Sequence, residues 1–235
     1  NFLIYGIVFL VLALSIVFYS CKDKPLTSQD IVDKCAEAMG GYDIINNIKT
    51  LRIKTVYPDH GEIPMEEEIK RPNKSYNPRS FVVFDGKRIC LLKGTDYKSD
   101  PELADESEWK DGEVVIGYIF PAFFEYPADL LGIEEIEGKK FYKLKIDLPL
   151  GAEMTYLIDS ETFYPAKAIA DFTMNGKKIH GWRDFSNYKE IDGFKYPHSF
   201  TYASRNGRQN GWIKSVEINI PMSDDKFKIP DELKK

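Results

Sequence analysis

Cysteine and histidine are scarce in this chain, with three of each among 235 residues. Cys21, Cys35 and Cys90 lie too far apart for the paired spacing of a zinc site, and no histidine has a second His or Cys at metal-ligand spacing. The sequence also has no nucleophile elbow, phosphate-binding loop or dinucleotide-binding glycine motif. It therefore predicts no metal, no cofactor and no enzymatic activity. Cys35 and Cys90 either form one disulfide in an oxidising compartment or are two buried free thiols, and the sequence leaves both states open.

Positive charge is not in excess. Lysine and arginine number 32 against 37 acidic residues, which gives a net charge of −5 at pH 7 and a pI near 5.4. Because nucleic acids bind to basic surfaces, this balance argues against a nucleic-acid partner. The hydrophobic share of 43% and the charged share of 29% are those of an ordinary folded domain rather than a disordered chain.

Charge is also absent from the first twenty residues, which are almost wholly apolar and lead directly to Cys21. Such a stretch is typical of a segment that enters a membrane, as a cleaved secretory signal, a permanent signal-anchor or a lipoprotein signal. The sequence Phe18–Cys21 resembles the bacterial lipobox, in which a small residue precedes a cysteine that becomes acylated. We therefore predict a signal peptide or membrane anchor over 1–20, a tether over 21–27 and a single domain over 28–235, with Cys21 as the lipidation site.

The segment after the tether predicts a helix followed by a strand. Thr27 and Ser28 offer hydroxyl caps ahead of Asp30, and apolar residues then recur at helical spacing until Gly40–Gly41. Residues 48–57 alternate apolar and polar side chains, which is typical of a half-buried strand.

The rest of the chain is rich in alternating segments separated by glycine turns. Asp-Gly or Asn-Gly pairs, which accept the positive φ angles of tight hairpins, occur at 85–86, 175–176, 192–193 and 206–207, and Glu137–Gly138 has the same position between strands. Strands joined by tight turns must be antiparallel. A sheet of about ten such strands must curl or close, which leaves an apolar concave side. We therefore predict an α+β fold built on a strongly curved antiparallel β-sheet.

Two segments interrupt this pattern. Residues 95–113 are dominated by acidic side chains and predict a solvated loop, whereas 114–133 form the most apolar stretch after Cys21. Prolines divide the second segment, so we predict a bent helical segment packed over the apolar face of the sheet. Its phenylalanines either line a concave apolar site or simply fill the interior of the curved sheet. The residues predicted to contact a hydrophobic ligand are Phe120, Phe123, Phe124, Leu130, Tyr142 and Tyr156.

Several loose motifs resemble the LolA/LolB-like family of bacterial outer-membrane lipoprotein carriers and sorting proteins. Arg71–Lys74 followed by Phe84–Arg88 resembles the RPxK … DGK passage of that family. Tyr156–Asp159, with its following Thr and Pro, resembles a strand and turn of the family, and Phe227–Pro230 resembles its ending. The similarity runs from about residue 28 to residue 230.

The resemblance implies an incomplete β-barrel wrapped around helices, with an apolar cavity between the sheet and the helices. Carriers of the family use this cavity to shield acyl chains of lipoproteins or lipids, and they perform no covalent chemistry. This chain differs from the soluble carriers in its N-terminal anchor, which is closer to the membrane-bound receptor type.

Two functions are therefore expected. In the first, a non-enzymatic protein of the cell envelope, lipid-anchored at the periplasmic side of the outer membrane, holds a lipid or the acyl chain of a lipoprotein in its half-barrel. In the second, the same fold is an envelope or surface scaffold for a protein partner and has no lipid cargo. Exposed tryptophans would then form the contact surface, and the candidates are Trp109, Trp182 and Trp212.

Overall fold

A computed structural model gives the fold of the chain. The structure describes residues 24–58, 61, 63–93, 100–174, 177–204 and 207–233. The predicted signal or anchor segment and the predicted lipidation site, Cys21, lie outside the described residues. Within the described ranges, no helix is both long enough and apolar enough to cross a membrane.

Two short helices of the described residues precede the sheet. Helix α1, Ser28–Ala38, begins at a capping box in which Thr27 accepts a hydrogen bond from the Asp30 backbone N–H and donates its own N–H to the Asp30 carboxylate. Gly40–Gly41, at φ angles of 123° and 90°, turn the chain where α1 ends, and helix α2 covers Tyr42–Asn47. The predicted first helix and its two ends are confirmed.

The described residues form one antiparallel sheet of thirteen strands. In chain order the strands are β1 Thr50–Val56, β2 Met65–Lys70, β3 Lys74–Asn77, β4 Val82–Phe84, β5 Ile89–Leu91, β6 Glu102–Leu103, β7 Asp129–Ile136, β8 Lys139–Asp147, β9 Glu153–Asp159, β10 Pro165–Met174, β11 Lys177–Ile191, β12 Phe194–Ser204 and β13 Gly207–Ile218. Their order in the sheet is β6-β5-β4-β3-β2-β1-β13-β12-β11-β10-β9-β8-β7. Consecutive strands therefore pair with each other, except β6 and β7, and the pairing of β1 with β13 joins the two halves of the sheet.

The sheet curves around a helix without closing. Helix α3, Asp111–Ile119, contacts β3 in one half of the sheet and both β9 and β10 in the other. Five strands separate β3 from β10 in the sheet order, so the sheet must wrap around α3 for both contacts to exist. Strands β6 and β7 are the two edges and do not pair with each other. The predicted curved sheet, an incomplete barrel wrapped around helices, is confirmed.

The boundary between the acidic and apolar segments differs from the prediction. Helix α3 begins inside the segment predicted as a solvated loop, and both Asp111 and Glu113 are buried in its first turn. Acidic side chains are favourable there because the start of a helix carries partial positive charge. A 3-10 turn, Ala122–Phe124, continues the predicted bent helical segment, but residues 129–133 belong to β7. Pairing with β8 satisfies the backbone of this stretch as a strand.

The core occupies mainly the concave side of the sheet. One apolar cluster joins α1 to β8, β9 and β10 and contains Cys35 and Tyr156. A second joins the end of α3 to β1, β2 and β12. A third lies on the opposite face of β4 and β5, where Ile229 of the C-terminal segment covers Val83 and Cys90. Cys35 and Cys90 therefore lie in different clusters, and both are buried free thiols rather than partners in a disulfide.

Candidate functional site

Two glycines allow α3 to lie directly against the sheet. A Cβ atom at Gly112 would lie 2.4 Å from the ring of Phe84, and one at Gly117 would lie 2.1 Å from the sulfur of Met154. Both distances are far shorter than a van der Waals contact, which is about 3.5–4.0 Å. A side chain at either position would displace the helix or its neighbour, so these glycines set the position of α3.

Two buried tyrosines of the sheet hold the end of α3. The Tyr156 hydroxyl, from β9, donates to the Gly117 carbonyl at 2.7 Å and accepts from the Ala122 N–H at 3.0 Å. The Tyr196 hydroxyl, from β12, donates to the Ile119 carbonyl at 2.8 Å. These bonds satisfy backbone groups that the end of a helix leaves unpaired. Burial raises the pKa of both phenols, so both keep the protons that they donate.

Arg71 links the loops on the other side of this helix end. Its guanidinium donates to the backbone carbonyls of Ile45 and Ile48, the latter at 2.6 Å. It also pairs with the Glu125 carboxylate and lies 4.2 Å from the centre of the Phe120 ring. Arg71 thus connects α2 to the segment that follows α3.

A cavity of about 330 Å³ lies between α3 and the concave face of the sheet and is open to solvent. Helix α3 forms one wall, and strands β11 and β12 form the other, with β5 at one side. Its volume is at the lower end of the range for small-molecule pockets, about 300–1,000 Å³, and its lining is mostly apolar. The lining residues are Ile89, Glu108, Asp111, Val114, Val115, Tyr118, Gly181, Trp182, Arg183, Tyr202 and Ala203.

Arg183 places a positive charge in this apolar cavity. It lies on β11 opposite Tyr202 of β12, and its guanidinium is 4.5 Å from the centre of the Phe200 ring and 5.3 Å from that of Tyr118. It donates one hydrogen bond, at 3.0 Å, to the hydroxyl of Tyr57. No carboxylate of the described residues lies within 4.0 Å of it. Aromatic rings stabilise the cation through their faces, but they leave its charge unneutralised.

Tyr118 brings a second polar group to the same cavity. Its hydroxyl is buried and has no hydrogen-bond partner of good geometry among the described residues. Burial raises the pKa of Tyr118 to about 12, so the phenol stays protonated and remains a donor. A buried hydroxyl without a partner costs free energy, and a ligand oxygen would remove that cost.

Glu67 is an acidic group on which the charge of Arg183 acts. Burial raises the pKa of Glu67 to about 7, while a hydrogen bond from Asn77 at 2.6 Å and the charge of Arg183 act in the opposite direction. Arg183 and Glu67 nevertheless form no ion pair. Glu67 therefore neutralises Arg183 only in part.

Four of the six predicted ligand contacts do not line this cavity. Phe120, Phe123 and Tyr156 are each at most 4% exposed. The Phe123 ring packs edge-on against Tyr156 at 5.0 Å and against the partly buried Phe124 at 4.7 Å. These side chains fill the space behind α3.

The other two predicted contacts, Leu130 and Tyr142, line a second apolar groove. This groove has a volume of about 880 Å³ and runs between the start of α1 and strands β7 and β8. The Tyr142 ring stacks on Phe163 at 5.9 Å, and the chain passes along the groove at Lys24–Leu26. The groove therefore begins where the chain leaves the predicted tether.

The tryptophans differ in their surroundings. Trp182 lines the cavity and contacts the cationic groups of Lys167 and Arg208. Trp109 is half-buried and donates to the Ala104 carbonyl at 2.9 Å, so it is not the exposed loop residue that the sequence suggested. Trp212 is 45% exposed. No group of three or more metal-ligating side chains occurs in the part of the chain that the structure describes.

The sequence did not identify Arg183 or Tyr118 as candidate site residues. Arg183 lies on the same inward face of β11 as Gly181 and Phe185. A charged residue at an inward-facing position of a strand could have indicated a binding site. Nothing in the sequence distinguishes Tyr118 as a binding residue, because it belongs to an apolar segment in which every residue is a candidate for the core.

Comparison with known proteins supports the fold. Neither a protein-family model nor a curated protein matches the sequence. The structure is similar to that of a LolA superfamily protein from Nitrosomonas europaea, with a TM-score of 0.53 and 18% identity over 87% of this chain and 99% of that chain. It is also similar to a DUF1329 family protein from Desulfovibrio piger, with a TM-score of 0.53 and 12% identity over 87% of this chain and 98% of that chain. The chain therefore has the LolA-like fold that its sequence motifs predicted.

Proposed function

We propose that this protein is a membrane-tethered, non-enzymatic carrier that holds a lipid, or the acyl chain of a lipoprotein, between α3 and the concave sheet. The observation that carries the proposal is the mostly apolar cavity of about 330 Å³ that the curved sheet leaves open beside α3. A concave apolar site of this kind buries a hydrocarbon chain without the need for a diagnostic polar motif.

The energetics favour such a ligand. Each methylene group that leaves water contributes about 0.8 kcal/mol, so a chain of roughly a dozen methylenes contributes on the order of 10 kcal/mol before the entropy of binding is subtracted. The apolar walls of the cavity, among them Val114 and Ile89, supply the surface against which this burial takes place.

The remaining predicted contacts have separate places in this proposal. Leu130 and Tyr142 contact an acyl chain that lies in the second groove beside the tether. Phe120 and Tyr156 are buried behind α3, and they reach a ligand only if α3 moves away from the sheet. Phe123 and Phe124 lie at the wall of another pocket, of about 300 Å³, beside the start of α1.

The tether completes the proposal. Acylation of Cys21 would hold the domain at the periplasmic side of the bacterial outer membrane, and residues 21–27 would connect the lipid to α1. The partners are then the membrane itself and the lipids or lipoproteins that pass between membranes of the envelope.

Native mass spectrometry of the full chain, extracted from its membrane, tests the cargo and the anchor together. We expect a co-purifying amphiphile that is released on denaturation and an acyl modification on Cys21. A protein that carries no amphiphile, and that binds no fluorescent fatty acid after delipidation, contradicts the carrier function. An unmodified Cys21 still joined to residues 2–19 contradicts the lipid anchor alone.

The second candidate is a scaffold for an envelope protein, and exposed apolar side chains favour it. On the edge strand β7, Leu131 is 54% exposed and Ile133 is 62% exposed, and Trp212 is 45% exposed on β13. Crosslinking in cells, followed by the variants Ile133→Asp and Trp212→Ala, separates the two functions. Loss of one specific crosslinked partner, with fatty-acid binding absent in the parent protein, supports the scaffold.

A further inference from the structure

The charge of Arg183 is unusual for its place in the molecule. A guanidinium has five N–H donors, and in the described residues Arg183 uses one of them, toward Tyr57. A cation in mostly apolar surroundings is normally paired with an anion, since its desolvation is otherwise uncompensated. The described part of the chain places no carboxylate within 4.0 Å of it. Glu67 acts on Arg183 only at longer range and neutralises it in part, so the guanidinium has donors left for an anion from outside the chain.

A second, independent group points to the same position. The Tyr118 ring lies 5.3 Å from the Arg183 guanidinium, and its buried hydroxyl has no hydrogen-bond partner of good geometry among the described residues. The backbone N–H of Ala170 is close enough to act on this oxygen as a donor, which leaves the proton of the hydroxyl to be donated. A guanidinium and a phenol are both donors, so together they suit a ligand with several acceptor oxygens. Carboxylate and phosphate groups have such oxygens and a negative charge. A hydrocarbon has no acceptor oxygen, and the oxygens of an ester carry no net charge.

Two acidic residues also line the cavity, and their position gives it a direction. Glu108 and Asp111 lie at the start of α3, whereas Tyr118 lies seven residues after Asp111. At 1.5 Å per residue this separation is about 10 Å along the helix axis. Tyr118 and the neighbouring Arg183 therefore lie at the end of the cavity away from these two acidic residues.

We infer that the cavity selects an amphiphile with an acidic headgroup, a carboxylate or a phosphate, which Arg183 and Tyr118 bind while the chain lies along Val114 and the other apolar walls. This inference rests on the proposed function, because it assigns the headgroup chemistry of the ligand held in the same cavity. Arg183 thus determines specificity for the headgroup in addition to its contacts with Phe200, Tyr118 and Tyr57.

Ligand competition on the full chain in detergent micelles tests the inference. Dodecanoate, dodecyl phosphate and dodecanol share one chain and differ in the headgroup, and acetate supplies a carboxylate without a chain. Charge-assisted hydrogen bonds contribute about 1.5–3 kcal/mol, so we expect the two acids to bind roughly ten- to a hundredfold more tightly than dodecanol. The partition of each ligand into the detergent is measured without protein, and the affinities are corrected for it before the ligands are compared.

Variants at the two donors complete the experiment. In Arg183→Met the preference for acids over dodecanol should disappear while dodecanol binding stays within about threefold of the parent. Arg183→Lys keeps the charge and should retain part of the preference, which also covers the case in which Arg183→Met fails to fold. Tyr118→Phe should weaken dodecanoate several-fold and leave dodecanol unchanged.

The outcomes separate the two claims. Equal binding of dodecanoate and dodecanol by the parent protein, or a preference that survives in Arg183→Met, overturns the inference and leaves the carrier function intact. Failure of all three chain ligands to bind overturns the carrier function as well. Acetate that competes as strongly as dodecanoate shows a small-anion site, which also overturns the selection of an amphiphile.

Discussion

The substitution Tyr156→Phe tests how the end of α3 is held above the sheet. The ring of Tyr156 is fully buried. The substitution removes only the hydroxyl oxygen, so the apolar packing of the ring stays intact. The oxygen lost, however, serves two backbone groups, the Gly117 carbonyl at 2.7 Å and the Ala122 N–H at 3.0 Å. Water cannot replace it at a site that is 0% exposed.

The expected cost follows from these two groups. A buried backbone group left without a partner costs about 1–3 kcal/mol, so the variant should lose about 2–5 kcal/mol of its free energy of unfolding. Equilibrium unfolding in urea, followed by tryptophan fluorescence, measures this difference, with an unchanged dependence on denaturant as evidence that the folded state is preserved.

A matched control is available in the same sheet. Tyr142 is half-buried on β8, and its hydroxyl makes no hydrogen bond to the described residues, so Tyr142→Phe should change the free energy of unfolding by less than about 0.5 kcal/mol. If Tyr156→Phe is as stable as the parent protein, or no less stable than Tyr142→Phe, the hydroxyl does not hold α3 and our reading of the helix end is wrong.

Two further predictions concern the packing of α3 and the buried acid. Gly112→Ala should lose about 1–3 kcal/mol of unfolding free energy, because its Cβ would meet the rigid ring of Phe84 at 2.4 Å. Gly117→Ala should lose less unfolding free energy, because the flexible side chain of Met154 can move aside and alanine favours the helix by about 1 kcal/mol. Thermal melts in which Gly117→Ala is as destabilised as Gly112→Ala, or more so, contradict this prediction. The pKa of Glu67 is raised from 4.5 to about 7, so the folded protein binds more protons than the unfolded chain between these values. Its stability should therefore fall as the pH rises from 4.5 to 7, by at most about 1.4 kcal/mol per unit, and change no further from this group above pH 7. Glu67→Gln should remove that decline and be the more stable protein at pH 8, and a pH profile of unfolding that is parallel in both proteins refutes the assignment.

Much of the fold could be predicted because its signals are local. The capping residue Thr27 and the pair Gly40–Gly41 mark both ends of α1, and alternation with glycine turns marks the hairpins of the sheet. The pairing of β1 with β13 had no such signal, because it joins residues far apart in the sequence. The curvature was predicted from the number of antiparallel strands, and the resemblance to the LolA/LolB-like family added the incomplete barrel wrapped around helices.

The region around α3 could not be predicted to the same degree. Acidic residues usually indicate solvent, yet Asp111 and Glu113 are buried where the helix begins. The phenylalanines attracted attention as ligand contacts because they are large and clustered, but size does not distinguish a packed interior from a cavity wall. The cavity depends on where α3 lies against distant strands, and Arg183 joins it from β11.

The most direct test of the central claim is the titration of the delipidated full chain with a fluorescent fatty acid. We expect saturable binding of one molecule per chain. The variant Val115→Trp adds bulk at an exposed position of the cavity wall and should weaken binding at least tenfold, whereas Leu131→Trp, at an exposed position of β7 that lines neither the cavity nor the second groove, should leave it unchanged. A protein that binds no fatty acid, or a Val115→Trp variant that binds as tightly as the parent, contradicts a ligand held between α3 and the sheet.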